Sequence, residues 1–188
     1  MTEDLARSID LVIGCTAQPL AGYHQQRLFA DTEAVAVRRA HPVGAGVRHL
    51  DAFLKVRHVA VVGRGQREDP VDTWLCQNGI ERQIGIVVPS YLQALHVVAR
   101  TDLAAFLPRR LIEVLGRPLS LIAVSPPIDP GTYEEYMFHP ARAHVDSGSI
   151  WLRNHALKIG LTLDRRTRGD IGHRLRNRAA GITPSLTP

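Results

Sequence analysis

Apolar and polar positions follow two different periods through the middle of the chain. The run Ile84–Val88 is apolar and rich in β-branched residues, which predicts a strand that Pro89 ends. Over Ser90–Val98 apolar side chains recur at helical spacing, and the serine is the predicted N-cap. Leu103–Leu107 is a second short apolar strand, and a further helix follows it. This order of strand, helix, strand and helix indicates a parallel α/β sheet.

Other elements are predicted on both sides of this centre. Ile9–Gly14 is an apolar strand interrupted only by Asp10, so we expect it to be buried on both faces. Pro70–Asn78 is a predicted helix, because proline stands at its start and Gly79 follows its end. The remaining predicted elements are helices at Leu50–Leu54, Leu111–Leu115 and Ser149–Ile159, and strands at Gln26–Ala30, Thr32–Arg38, His58–Gly63, Leu119–Val124 and Glu134–Phe138.

Net charge separates the end of the chain from the rest. The 188 residues suffice for one domain or two small lobes, and 45% of them are hydrophobic, as in ordinary globular proteins. The formal net charge is +5, and residues 161–188 contain six arginines but only two aspartates. We therefore expect a basic, mobile tail with a solubilising or lobe-covering role. Non-specific contact with phosphate is the alternative, although the tail has no Phe, Trp or Tyr for stacking on bases.

The cysteines and the amino terminus indicate a compartment. Two cysteines, Cys15 and Cys76, fit a reducing environment better than a disulfide framework. The first residues include acidic side chains and lack the apolar core of a signal peptide. No apolar stretch approaches the ~20 residues that a membrane-spanning helix needs. We expect a soluble, cytoplasmic protein without membrane contact.

The order of residues in the centre carries a family resemblance. The block Ile84–Pro108, IGIVVPSYLQALHVVARTDLAAFLP, resembles the effector-binding domain of LysR-type transcriptional regulators. Further similarity covers roughly residues 3 to 160 and includes IDLVIG, LFADTEAVAVRRAHPV, MFHPAR and SIWLRNHAL, together with the spacing of Val71, Asp72, Leu75, Gly79 and Arg82. The resemblance implies a periplasmic-binding-protein-like fold, with two lobes built on Rossmann-like α/β sheets. It also implies that the strand ending at Pro108 crosses between the lobes.

The resemblance divides the chain into lobes. Residues 1–28 plus 104–160 are expected to form the first lobe, residues 29–103 the second, and residues 161–188 the tail. The family's helix-turn-helix, its linker helix and the opening strand–helix–strand unit of its first lobe have no counterpart in this sequence. We therefore expect a member truncated at its amino terminus, without specific DNA binding of its own. The sheet edge and helix-docking face left exposed predict self-association as a dimer or larger homo-oligomer.

The resemblance also places six residues around a cleft between the lobes, where a small-molecule effector would bind. The predicted ligand-binding residues are Thr16, Gln18, Ser90, Tyr91, Thr101 and Asp102. Pockets of this kind use a few hydrogen-bonding groups within an apolar lining. The simpler alternative is that Ser90 only caps its helix and Thr101 only forms a turn.

Metal binding has little support in the spacing of the nine histidines. His41 and His139 each precede proline, and the resemblance assigns such pairs to turns. His49 and His58 lie nine residues apart without a cysteine or carboxylate at metal-ligand spacing. We expect no metal and no cofactor.

Catalysis has equally little support. Ser90, His96 and Asp102 are the residue types of a hydrolytic triad, but no G-x-S-x-G turn surrounds the serine. The Gly63–Asp69 loop contains G-x-G and lacks the rest of a phosphate-binding loop. We do not expect an enzyme.

These observations predict the ligand-sensing part of a LysR-type regulator, binding a small organic acid or an aromatic inducer between two lobes. The central block most resembles members that respond to aromatic or phenolic inducers. Because the family's first helix contributes to a carboxylate site, binding without it is expected to be weak or lost. The alternative is a stand-alone binding protein that modulates full-length regulators by hetero-oligomerisation.

Overall fold

The computed structural model describes residues 9–15, 20–63 and 65–180, with residues 165–180 as backbone only. The chain forms two compact units. Unit 1 comprises Met1–Asp31 and Tyr133–Pro188, and unit 2 comprises Thr32–Thr132. The chain therefore passes from one unit to the other twice, after residue 31 and after residue 132.

The described elements alternate between strands and helices for most of the chain. The strands are β1 (Val12–Gly14), β2 (Tyr23–Asp31), β3 (Glu33–Arg38), β4 (Arg57–Val61), β5 (Gln83–Val88), β6 (Ala104–Pro108), β7 (Leu121–Val124) and β8 (Tyr133–Pro140). The helices are α1 (Leu50–Lys55), α2 (Pro70–Gln77), α3 (Tyr91–Val98), α4 (Arg109–Leu111) and α5 (Ser147–Ala180), with a π-helical turn at Ile112–Gly116 and 3₁₀ turns at Gly44–Arg48, Arg117–Leu119 and Ala141–Ala143.

Unit 2 is built around a five-stranded sheet with the strand order β5-β4-β6-β3-β7. β4 runs parallel to β5 and β6, while β3 runs antiparallel to β6 and β7. The predicted strand–helix–strand order at the centre of the sequence is confirmed as β5, α3 and β6. These two strands flank β4, so the parallel α/β arrangement is confirmed as well.

Both faces of this sheet are covered by helices. Side chains alternate between the two faces along β3, and Ala34–Val37 are all 0% exposed. The two alanines of this segment pack in a cluster with Leu95 and Val98 of α3. The two valines pack in a second cluster with Phe53 of α1 and Leu75 of α2. Because α2 and α3 cover opposite faces, unit 2 is doubly wound.

Unit 1 contains a three-stranded antiparallel sheet with the order β1-β8-β2, and α5 packs on β2. A register shift in β2 between Arg27 and Phe29 bends the strand at Leu28, which is buried. A Cβ atom built on Gly160 of α5 would lie 2.9 Å from the carbonyl oxygen of Leu28. The glycine therefore permits close contact between helix and strand.

The structure corrects the predicted boundary between the lobes. Residues 104–132 lie in unit 2, whereas the sequence placed them with the first lobe. β6 inserts between β4 and β3, and β7 pairs with β3, so both strands belong to the five-stranded sheet. The second crossing therefore follows Thr132, and the strand that ends at Pro108 does not cross between units.

Two further expectations were wrong. β1 is not buried on both faces, since Ile13 is 55% exposed and the strand pairs only with β8, at the edge of its sheet. The helix predicted to end at Ile159 continues instead as helical backbone as far as Ala180. Residues 181–188 lie outside the described part.

Candidate ligand site

Ser90 and Tyr91 lie together at the carboxyl end of β5, where α3 begins. Ser90 has an extended backbone, and its Oγ accepts a hydrogen bond from the Gln93 amide at 3.3 Å. The predicted N-cap is thereby confirmed. Tyr91 is 45% exposed, and the first turn of α3 contains no acidic residue. This place combines the positive end of a helix dipole with a hydroxyl and an aromatic ring.

Thr101 and Asp102 lie beyond the other end of α3, just before β6. The Thr101 hydroxyl donates to the Val97 carbonyl at 2.9 Å and accepts from the Leu103 amide at 3.3 Å. Asp102 forms an ion pair with Arg38, whose Nη2 lies 2.5 Å from the carboxylate. Thr101 thus has the local turn contacts that the simpler alternative proposed, and the Asp102 carboxylate is engaged by Arg38.

The structure therefore separates the four predicted residues of unit 2 into two pairs. The carboxyl ends of parallel strands share one edge of a sheet, and their amino ends share the other. Ser90 and Tyr91 follow β5 at the first edge, while Thr101 and Asp102 precede β6 at the second. The two pairs do not line one pocket. Thr16 and Gln18 lie outside the described residues.

A buried ion-pair network holds the loop that leaves β4 at the same edge as Ser90. The Asp69 carboxylate caps α2 by accepting the Val71 amide at 3.0 Å, and it also accepts the Val61 amide at 2.8 Å. The Arg82 side chain is fully buried and donates to Asp69 at 2.8 Å and to Asp72 at 2.5 Å. The Asp72 and Arg82 positions of the family-like spacing therefore stabilise this loop.

A shallow depression of about 440 Å³ lies beside this loop, along α2. Its lining residues are Gln66, Arg67, Glu68, Pro70, Thr73, Trp74 and Gln77. Thr73 donates to Glu68 at 2.8 Å, so two of its polar groups are paired with each other. None of the four predicted residues that the structure describes lines this depression, which gives it no support as the effector site.

Two histidines of unit 2 have structural roles. His58 stacks on Phe53 at a centroid distance of 4.4 Å, and its Nε2 donates to the Phe53 carbonyl at 3.0 Å. Burial lowers the pKa of His58 to about 4, against the opposing effect of that hydrogen bond. His41 Nδ1 accepts the amides of Val43 and Gly44 at 3.1 and 3.2 Å, which confirms the turn role predicted for His41. The same prediction was wrong for His139, which lies in β8.

Charged residues that the sequence did not single out meet in unit 1. Arg27 lies 2.6 Å from Glu134 and 2.9 Å from the buried Asp164, which also accepts the Ala30 amide. Hydrogen bonds to these two carboxylates raise the pKa of Arg27. Hydrogen bonds from Tyr136 and then Arg27 lower the pKa of Glu134. This network joins β2 to β8 and α5, and spacing alone gave no signal for it.

The chain forms two α/β units, it crosses between them twice, and unit 2 is doubly wound. These features define the class of periplasmic-binding-protein-like folds. The sequence matches the family described as LysR substrate binding domain over residues 1–158. The chain belongs to this family and contains the effector-binding domain of a LysR-type transcriptional regulator. The family resemblance and the fold class expected from the sequence are confirmed.

Individual relatives agree with this assignment. The HTH-type transcriptional activator NahR of Pseudomonas putida is 33% identical over 146 residues, which are 78% of this chain and 49% of NahR. The probable transcriptional regulator PA0477 from Pseudomonas aeruginosa has a similar structure, with a TM-score of 0.73 and 26% identity, over 83% of this chain and 52% of that chain. The chain spans about half the length of the curated relatives it matches.

A second similar structure was solved with a small molecule. The effector binding domain of QuiR in complex with shikimate has a TM-score of 0.65 and 14% identity, over 83% of this chain and 74% of that chain. At 14% identity this likeness shows the fold alone.

Within the described residues, no helix has the length and apolar character needed to cross a membrane.

Proposed function

We propose that this chain senses a small organic acid, with or without an aromatic ring, and that the effector binds at the start of α3. Family membership and the shikimate complex of a structural relative support a small-molecule effector. The observation that carries the location is the pair Ser90 and Tyr91, at the carboxyl edge of parallel strands in unit 2. Open α/β sheets bind their ligands at this edge.

The chemistry of this place suits an anion. Backbone amides at the start of a helix point outward and carry a positive partial charge, which favours a carboxylate. The first turn of α3 has no acidic side chain to oppose it. Tyr91 is 45% exposed and offers a ring face and a phenol group to an effector that is also aromatic. Thr16 and Gln18 stay predictions, as the structure does not describe them.

In the proposed mechanism the effector binds one conformation of the regulator better than the others. It shifts the population towards that conformation by its difference in affinity. Through this shift the effector controls transcription by the whole regulator.

The second candidate is a partner role, in which the chain joins full-length relatives and modulates them. An exposed apolar edge favours it, since Ile84, Ile86 and Val87 of β5 are 39%, 42% and 57% exposed. Edge strands of this kind pair with other chains. Co-purification of a full-length family member with this chain, but not with a variant of the β5 edge, distinguishes this role from ligand sensing alone.

The test of the effector site uses two substitutions that both preserve the helix cap. Asp and Asn are both good N-caps, so Ser90→Asp and Ser90→Asn should keep α3 folded. The negative charge in Ser90→Asp should weaken binding of a carboxylate by roughly tenfold or more, while Ser90→Asn retains most of the affinity. Calorimetry with benzoate, shikimate and uncharged phenol measures the dissociation constants.

Asp102→Asn is the matched control, because this residue lies at the opposite edge of the sheet. The Asp102→Asn variant should bind each compound with the same affinity as the unmodified chain. A loss of affinity in Asp102→Asn, with none in Ser90→Asp, would contradict the proposed location. A chain that binds none of these compounds, yet co-purifies with a full-length relative, would favour the partner role.

A further inference from the structure

Three histidines that are distant in the sequence come together in unit 1. His24 of β2 and His139 of β8 are register partners in the sheet, and His144 follows the 3₁₀ turn after β8. One ring nitrogen from each lies within 4.8 Å of the others. His24 and His144 are exposed, whereas His139 is 6% exposed. The three form a cluster that is open to solvent on one side.

The rings of His139 and His144 face each other through their nitrogens. Nε2 of His139 lies 3.3 Å from Nδ1 of His144, and the ring planes differ by only 9°. The centroids are 5.6 Å apart, so these rings meet edge to edge. His24 lies over both, with centroid distances of 5.0 Å to His139 and 4.6 Å to His144. Two of the three nitrogens are therefore already adjacent.

His139 also has a nitrogen that no hydrogen bond satisfies within the described part of the chain. Its Nδ1 is buried and lacks a partner, although the ring is fixed in a strand that pairs on both sides. This Nδ1 is not the nitrogen that faces His144, so it can carry the ring proton and leave the lone pair of Nε2 for a metal ion. The cluster thus combines two exposed imidazoles with a buried ring whose Nε2 faces His144.

We propose that His24, His139 and His144 bind one divalent transition-metal ion. Imidazole nitrogens are preferred ligands of Zn²⁺, Cu²⁺ and Ni²⁺, and three histidines with an open fourth position form a common zinc arrangement. At Zn–N distances of about 2.0–2.1 Å, two ligand nitrogens on a tetrahedral ion lie about 3.4 Å apart. The 3.3 Å distance between the His139 and His144 nitrogens is close to this spacing, and a ring nitrogen of His24 lies within 4.8 Å of both. Rotation of the exposed His24 and His144 rings directs all three nitrogens at the ion.

Arg153 of α5 fixes the backbone beside this site, and its positive charge opposes metal binding. Its guanidinium donates to the carbonyls of Ala143 at 2.8 Å and His144 at 2.9 Å, and to Ser149 at 2.7 Å. These contacts fix the backbone that carries His144. The positive charge of Arg153 opposes a cation, so we expect moderate affinity and ready exchange of the metal.

The site belongs to unit 1 and does not depend on the proposed effector site. It is tested with zinc added to the full, untagged and metal-free chain, measured by calorimetry. We expect one saturable site per chain. His24→Ala and His144→Ala, at exposed positions that leave the buried His139 in place, should each weaken zinc binding by roughly tenfold or more.

His155→Ala is the control, because His155 is an exposed histidine of α5 outside the cluster. It should bind zinc as the unmodified chain does. Zinc should also raise the melting temperature of the unmodified chain and leave that of a His24→Ala, His144→Ala double variant unchanged. The proposal is overturned if the folded chain shows no saturable binding. It is equally overturned if the cluster variants bind zinc as tightly as His155→Ala.

Discussion

At the scale of single residues, His58 is a histidine that folding keeps neutral. The sequence places it in an apolar strand, and the structure buries it completely against Phe53. Burial removes the imidazolium from water, so the pKa falls from 6.5 to about 4. The unfolded chain therefore binds a proton at a pH where the folded chain does not.

His58 makes the folded chain less stable as the pH falls. The stabilisation from neutral His58 is complete above about pH 6.5 and is lost as the pH falls towards 4. The shift corresponds to about 3 kcal/mol. Urea unfolding measures the free energy of unfolding at pH 7.5 and at pH 5. This free energy should fall less between the two pH values in His58→Gln than in the unmodified chain. Equal losses would mean that His58 does not titrate between the folded and unfolded states in this way.

Ser90 and Thr101 show what residue types reveal about a site and what they do not. A serine before a helical pattern and a threonine before aspartate at a turn are recognisable from local chemistry, and both local roles were found. Whether the two face one ligand depends on the direction of the strands that carry them. Ser90 follows the carboxyl end of β5, and Thr101 precedes the amino end of β6. Because the two strands run in the same direction, these ends lie at opposite edges of the sheet.

At the scale of elements, Gly160 has a different role in the structure from the one that the sequence pattern indicates. A glycine after a helical pattern is typical of a helix end, yet α5 continues through it to Ala180. The reason is its position against the bend of β2, where a side chain would meet the backbone of Leu28. A local pattern cannot distinguish a glycine that ends a helix from one that packs against a strand.

Gly160→Ala is expected to destabilise the protein. Alanine is the better helix former by about 1 kcal/mol, but its Cβ would overlap backbone atoms that cannot move aside freely. Overpacking of this kind costs about 1–3 kcal/mol, so a net loss should appear in urea or thermal unfolding. In Gly148→Ala, the matched control in the same helix, the new Cβ meets only the end of the Asp146 side chain. Similar stability of the two variants would refute the packing role.

At the scale of the whole molecule, self-association remains a prediction, and β5 is the surface that best supports it. This strand is the edge of the five-stranded sheet, and it exposes Ile84, Ile86 and Val87. An edge with unpaired backbone groups and apolar side chains favours pairing with a second chain. The sequence identified β5 as apolar but not as an edge, because strand order is a property of the folded sheet.

Val87→Lys should lower the mass measured by light scattering at micromolar concentration. A lysine at an edge disfavours strand pairing, and Val87 is exposed enough to be replaced without loss of the core. Val114→Lys places the same charge at a valine that is 62% exposed and lies outside the strands. A mass equal to one chain before any substitution, or an equal effect of both lysines, would rule out this edge as the contact.

The sequence by itself determined the family, the α/β class and most of the elements, because apolar periodicity, caps and breakers act over a few neighbouring residues. It also predicted the parallel arrangement around β4. Only the tertiary structure decided which strands are central, where the chain passes between units, and which histidines meet. Strand order and register bring together residues more than a hundred positions apart, as with His24 and His139. No local pattern contains that pairing, because it depends on the burial of the whole sheet.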